Sequence, residues 1–279
     1  MNLSDQHIPW ASPKPDPTAS PQPTGPTPVS PKTKRRLRVR DPLSIVLVSV
    51  IVLALAAAGL IGAELYARNR AANKVAATAG CVVDDGATAS FGAMPPFLWQ
   101  HINGDYTNIR IFTAGNQIKR AKGMKAVVTV VDVDLHGDAN SKGTIGALDA
   151  KITWTSDGIQ KTIQDAIPLF GSFVNGVKSS ASDGSITLQG MLGDIVVKPE
   201  VVNNKISLPV TSLSGLGFTL PSESVQPFLD RFSDTLASDL PLGIHADAIQ
   251  VTDSGVVAHF STHNAKIPQA TTNPCFANL

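Results

Sequence analysis

Apolar positions change their spacing along this chain, and each change predicts a different element. Residues 43–63, LSIVLVSVIVLALAAAGLIGA, carry no charge. As a helix they extend roughly 31 Å at about 1.5 Å per residue, which matches a bilayer hydrocarbon core of about 30 Å. A membrane-spanning helix is predicted there. Residues 64–79, ELYARNRAANKVAATA, are rich in helix formers and predict an outward continuation that stops before Gly80. A strand-rich body follows. Strand-like stretches fall at 106–112, 124–135, 144–154, 185–191, 195–198, 205–210, 245–251 and 256–261, each bounded by Gly, Asn, Asp or Pro. Within 124–135, alternation places Val127, Thr129, Val131, Val133 and Leu135 on one face, with Asp132, Asp134 and His136 on the other.

Two amphipathic helices interrupt the strands. Ser156 is placed to cap one that runs through Ile159, Ile163, Ala166 and Ile167 to Pro168. The other covers about residues 222–240, where Val225, Phe228, Leu229, Phe232, Leu236 and Leu240 recur every three or four positions. Pro227 lies in its first turns, where proline is tolerated. Residues 240–261 then read as turn, strand, tight turn at Asp253-Ser254-Gly255, and strand. The predicted fold class is α+β with a long antiparallel sheet, preceded by one transmembrane helix.

Charge sorts the chain into parts that its overall balance of +1 conceals. Residues 1–42 carry seven Lys/Arg against three Asp, 43–63 carry none, and 64–279 carry 16 basic against 19 acidic side chains. The near-neutral total excludes a strongly basic nucleic-acid binder. Nine of the 20 prolines lie in the first 31 residues, beside few large apolar side chains. That composition predicts a disordered tail. Lys32, Lys34, Arg35, Arg36, Arg38 and Arg40 precede the apolar run, whereas Arg68, Arg70 and Lys74 follow it together with Glu64. The asymmetry predicts a cytoplasmic N-terminus in a single-pass protein of the cell membrane. A cleavable signal is the competing reading, disfavoured by the long polar lead and the length of the run. The expected organisation is a basic tail (1–42), a transmembrane helix (43–63), a helical stalk (64–80) and an extracytoplasmic domain (81–279). Cys81 and Cys275, the two cysteines, flank that domain and predict a disulfide closing it, with two free thiols as the alternative.

Motifs of covalent chemistry are scarce. The chain lacks a G-x-S-x-G elbow, a phosphate-binding loop, H-E-x-x-H and G-x-G-x-x-G. Asp132-Val-Asp134 on a strand reads as two solvent-facing carboxylates rather than a metal site. His259 and His263 read as surface histidines. No cofactor is expected. Two apolar clusters stand out instead: one containing Phe97, Leu98 and Trp99 after Met94-Pro95-Pro96, and one containing Phe170 and Phe173. Each is either ordinary core or the lining of an elongated apolar cleft or an exposed patch that takes lipid chains. Lys119, Arg120, Lys122 and Lys125 form a basic run that is either a solvated turn or a contact for anionic headgroups.

Residues 87–112, ATASFGAMPPFLWQHINGDYTNIRIF, resemble the opening of the LmeA-like family of actinobacterial envelope proteins: a small residue, Pro-Phe-Leu, then Gly-x-Tyr and Ile or Val. Residues 240–261, LPLGIHADAIQVTDSGVVAHFS, resemble that family's closing hairpin, so the resemblance covers about residues 70–261. It implies a tubular lipid-binding fold, with a long sheet wrapped around the 222–240 helix. Phe228 and Phe232 would then face acyl chains, and residues 95–99 would sit near an opening. The expected function is a membrane-anchored, non-enzymatic protein that holds or transfers phospholipid in an apolar groove during envelope biogenesis. An envelope scaffold is the first rival, and a hydrolase or transferase of lipid-linked glycans the second.

Overall fold

The computed structural model describes residues 41–166, 174–191, 193–215, 218–219, 223, 225–237, 241–269 and 274–275. The Pro-rich basic tail expected for residues 1–42, up to residue 40, and the cluster holding Phe170 and Phe173 lie outside these residues. Among the described residues, α1 (Pro42–Val83) is the one helix long and apolar enough to cross a membrane. It runs through Gly80, where the sequence suggested a stop. Termination falls instead to Asp84, in the left-handed region at φ 59°. The Asp85 N–H then donates back to the Gly80 carbonyl at 3.2 Å, which completes a Schellman closure. Gly80 makes that return feasible, since a Cβ there would lie 2.9 Å from the Asp85 carbonyl oxygen.

Residues 53–279 form one compact unit; the described part of the preceding unit is the start of α1. Its larger sheet has six antiparallel strands in the order β1 (Ala87–Phe91), β2 (Asp105–Thr113), β5 (Met124–Asp134), β6 (Ser141–Thr155), β15 (Gly255–Pro268) and β14 (His245–Thr252). The sequence located most of these strands and truncated β15, whose second half continues past His263. A short hairpin, β3 (Gln117–Ile118) and β4 (Ala121–Lys122), joins β2 to β5. The helix α2 (Phe97–Asn103) links β1 to β2. The second sheet orders β13 (Phe218–Thr219), β12 (Val210–Gly215), β9 (Gly193–Val197), β8 (Ser185–Gly190) and β7 (Val174–Ser180). The expected strand at 205–210 is two elements: β11 (Lys205–Ser207) pairs with β10 (Glu200–Val202), and β12 starts at Val210.

A transverse crease crosses the six-stranded sheet. In β5 the inward positions are Ala126, Val128 and Val130, then Val133; in β6 they are Ile145, then Leu148, Ala150, Ile152 and Trp154. β2 changes between Tyr106 and Ile109, and β15 between Thr262 and Ala265. In each strand the inward face skips from even to odd numbers or back. The register shows why. Pairing omits one rung at the same level, Thr107 opposite Asp132, Asp132 opposite Gly146, and Gly146 opposite Asn264. Asp132 and Asn264 are left-handed there, with φ 55° and 51°, a conformation that Asp and Asn adopt more readily than most residues. Strict alternation therefore misassigned β5: Val127, Thr129 and Val131 face away from the interior that Val133 and Leu135 line.

Gly146 is needed at the crease because a Cβ there would stand 2.8 Å from the Asp132 Cβ. Gly146→Val should cost about 1–3 kcal/mol by overpacking. For a unit of this size that corresponds to a fall in Tm of roughly 3–10 °C. Thermal unfolding followed by circular dichroism checks it, and an unchanged Tm would contradict the crease geometry.

Two further helices pack against the smaller sheets. In α3 (Ser156–Ala166) the cap is Thr155, not Ser156: its hydroxyl accepts the Gly158 N–H at 3.1 Å, while the Ser156 hydroxyl bonds that of Ser179. The helix α4 (Gln226–Ala237) is described over a shorter span than 222–240. Gln226 fastens it to the sheet, accepting the Val210 N–H at 2.9 Å and donating to the Leu208 carbonyl at 3.2 Å. Two apolar clusters result. One joins the sheet to Ala67, Ala71, Ala72, Val75 and Val82 of α1, so residues read as a stalk pack against the domain. The other joins Trp154 to α3, β8 and β9, with Leu229 and Phe232 of α4 against it.

Candidate functional site

Both clusters face a single cavity of about 980 Å³, at the upper end of the volumes usual for ligand pockets. On α1 its lining is a stripe of Ala71, Val75, Thr78, Ala79 and Val82, spaced by three and four. With Val83, that stripe follows the cavity for roughly 18 Å at about 1.5 Å per residue. The inward residues of the creased sheet form the opposing wall. Ile159, Ile163, Ile186, Leu188, Val197, Leu229 and Phe232 close the far part, where the rings of Phe232 and Trp154 stack with centroids 6.3 Å apart. The Trp154 indole N–H is satisfied by the Lys122 carbonyl at 2.8 Å.

Polar groups are few and mostly peripheral. Lys74, Lys119 and Arg120 line one part, and Asn203, Asn204, Lys205 and His245 another. At the α2–β2 corner, Tyr106 meets His101 Nδ1 at 2.8 Å, and burial pushes the tyrosine pKa up. Thr78 is different. It is buried in the wall, and among the described residues its hydroxyl is the one buried side-chain polar atom without a hydrogen-bond partner.

The residues singled out in the sequence are divided by the fold. Phe232 lines the cavity, whereas Phe228, one turn earlier, is 52% exposed. Phe97 is buried, but against Phe91 and Tyr106 rather than in the wall. Leu98 is half-buried and Trp99 exposed. Within the basic run, Lys119 and Arg120 reach the cavity; the Lys122 ammonium instead donates to Gln117 Oε1 at 2.7 Å, and Lys125 is exposed beside Gly115. The α1 stripe was readable as spacing in residues 71–83. Thr78 was not, because an isolated threonine on a helix carries no signal of where it points.

Cys81 and Cys275 form the expected disulfide, with Cα atoms 5.6 Å apart across 194 residues. The same end of α1 is held by Asp85. Its carboxylate accepts the Asn116 side-chain amide at 3.0 Å and the backbone N–H groups of Gly86, Gly115, Asn116 and Gln117. The Asn116 bond and then the backbone donors, against desolvation, hold the Asp85 pKa at about 2. With an unfolded value of about 3.9, the stability contribution is complete above roughly pH 4 and disappears as pH falls towards 2. The Tm difference between the natural protein and Asp85→Asn should therefore be greatest near neutrality and shrink below pH 4. A pH-independent difference would show that charge on Asp85 is not what holds the junction.

The Asp132-x-Asp134 pair does not act as a unit, because Asp132 packs at the crease beside Gly146. Asp134 instead accepts the backbone N–H and ring Nδ1 of His136, which together lower its pKa. Asp105 joins them with donor atoms within 4.8 Å, all three residues being at the surface.

An aliphatic cavity between one helix and a creased antiparallel sheet has the shape and chemistry to shelter an apolar guest. In comparison with known proteins, residues 58–261 match LmeA-like phospholipid-binding proteins. The chain belongs to that family. It is also 49% identical over 265 residues to uncharacterized proteins of Mycobacterium bovis and of two strains of Mycobacterium tuberculosis, covering 95% of this chain and 76% of each relative. No solved structure matches it. The family match starts inside α1 and ends within β15, so it includes the α1 stripe, the crease up to Gly146 and most of the cavity wall.

Proposed function

We propose that this family member holds phospholipid with its acyl chains in the 980 Å³ cavity, anchored by the apolar run of α1 with its N-terminus in the cytoplasm and its domain outside. The supporting observation is the size of an aliphatic cavity with so few polar groups. Left to solvent, the apolar side chains that wall this cavity stay wet, and each Å² that a guest covers contributes about 25 cal/mol. Water is a poor filler, because each buried molecule needs two to four polar partners. An acyl chain needs none, and each methylene it buries contributes about 0.8 kcal/mol. The orphan Thr78 hydroxyl suits an ester carbonyl or phosphate oxygen of the same guest. Holding or passing lipid in this way during envelope biogenesis requires no covalent step.

Native mass spectrometry of the full chain released from detergent, with lipid extraction of the same preparation, tests the reading. Bound phospholipid in stoichiometric amount is expected. Absence of lipid in both measurements, together with no transfer between vesicles, would overturn it.

A further inference from the structure

The apolar run of α1 ends at Ala63, and Glu64 begins a set of contacts that fix what lies beside that end. The Glu64 carboxylate accepts the backbone N–H groups of Phe97 and Leu98 at 2.5 and 2.9 Å, donors that the first turn of α2 cannot satisfy internally. One turn further along α1, the Arg68 guanidinium donates to the Phe91 carbonyl. These bonds pin α2 and the loop before it at the level where the uncharged run stops.

Large apolar side chains are exposed at that level, beside the exposed polar His101 and Asn103 of α2. Met94, Trp99 and Ile102 are 78%, 64% and 80% exposed, and on α1 Leu65 and Tyr66 are exposed as well. Tyr66 lies three residues beyond Ala63, about 5 Å along the axis. Among the described residues the remaining Trp and Tyr, Trp154 and Tyr106, are buried. The exposed members of these two residue types are thus both tied to the end of the apolar run. An amphipathic ring with one polar atom suits the boundary between hydrocarbon and water, where Trp and Tyr concentrate in membrane proteins.

We infer that Leu65, Tyr66, Met94, Trp99 and Ile102 form a docking face that rests in the outer leaflet of the bilayer into which α1 runs. The occupant is lipid surface because the helix that enters the bilayer also carries the face to its boundary, through the Glu64 and Arg68 bonds. The inference rests on the membrane span proposed above and adds a second, peripheral contact to it. That contact brings the α2–β2 corner, where His101 and Tyr106 line the cavity, towards the lipid from which a guest would come.

The test uses the full chain, disulfide intact, in phosphatidylcholine–phosphatidylglycerol vesicles, with an environment-sensitive fluorophore on a single added cysteine. Val52→Cys reports the span, Met94→Cys and Ile102→Cys the docking face, and Ser182→Cys the exposed β7–β8 turn. Labels at 94 and 102 should emit to the blue of the label at 182 and be quenched more by nitroxides placed near the lipid headgroup than by deep ones. The label at 52 should show the reverse depth preference. Quenching at 52 with labels at 94 and 102 behaving as at 182 overturns the docking face and leaves the span standing. A water-exposed label at 52 overturns the span, and the docking face with it.

Discussion

Ala150→Trp should leave the protein folded and largely free of lipid. Ala150 lies near the middle of β6, faces the cavity, and has Val128 and Phe260 as cross-strand neighbours. Ala150 belongs to the buried cluster of the larger sheet as well as to the cavity wall, so an indole there must pass neighbouring side chains to reach the cavity, and the volume it fills offsets part of the usual overpacking penalty. What it displaces is guest. Losing about four buried methylenes at about 0.8 kcal/mol each amounts to roughly 3 kcal/mol, or about a hundredfold in affinity. Native mass spectrometry should therefore show the lipid-bound population collapse while thermal unfolding stays cooperative and Tm falls by no more than a few degrees. Lys151→Trp is the control, since Lys151 is exposed beside it, and it should retain lipid as the natural protein does. Full occupancy in a folded Ala150→Trp protein would mean that lipid, if bound, is bound elsewhere.

Removing the Cys81–Cys275 disulfide should have the largest effect on stability. The bond closes 194 residues of sequence separation, for which loop entropy gives about 5 kcal/mol, with typical measured values of 2–4. In a unit of this size that corresponds to a loss in Tm of roughly 10 °C. Cys81→Ser with Cys275→Ser should show it, reductant should reproduce it in the natural protein, and reductant should do nothing further to the double variant. Cys81 sits one residue before Val82, which lines the cavity. The double variant should consequently also lose lipid faster on dilution. An unchanged Tm would show that the Schellman closure and the Asp85 bonds hold that end of α1 without the bond.

Sequence reasoning succeeded where a signal is local or summed over many positions. The apolar run at 43–63 needs no partner to be recognised. Most strands of the larger sheet declared themselves by β-branched runs between turn residues, whereas β1, ATASF, carries no such run and was missed. The cysteine pair was read from its placement at the two ends of the domain. Reading failed where a partner changes the meaning of a residue. Alternation placed Val127 and Val131 inside; the crease turns them outward because Asp132 and, two strands away, Asn264 take left-handed conformations on either side of Gly146. Gly80 looked like a helix stop, yet Asp84 stops the helix because the returning chain needs the space at Gly80. Phe228 and Phe232 are equivalent in a helical pattern, and only the packing of α4 sends one to the cavity and leaves the other exposed.

The same division holds for function. By itself the sequence determined that an uncharged helix of bilayer length precedes an α+β domain stapled across its ends, and its motifs placed that domain near a lipid-binding family. Those features rest on composition and on short-range spacing, which a linear chain carries explicitly. Tertiary structure decided that the apolar surplus surrounds a void instead of filling it, that Thr78 points into that void, and that Trp99 and Ile102 face outward beside the end of the apolar run. A side chain's apolarity is written in the sequence, whereas what it faces depends on elements tens of residues away, whose approach is set by the crease, the Glu64 bonds and the disulfide.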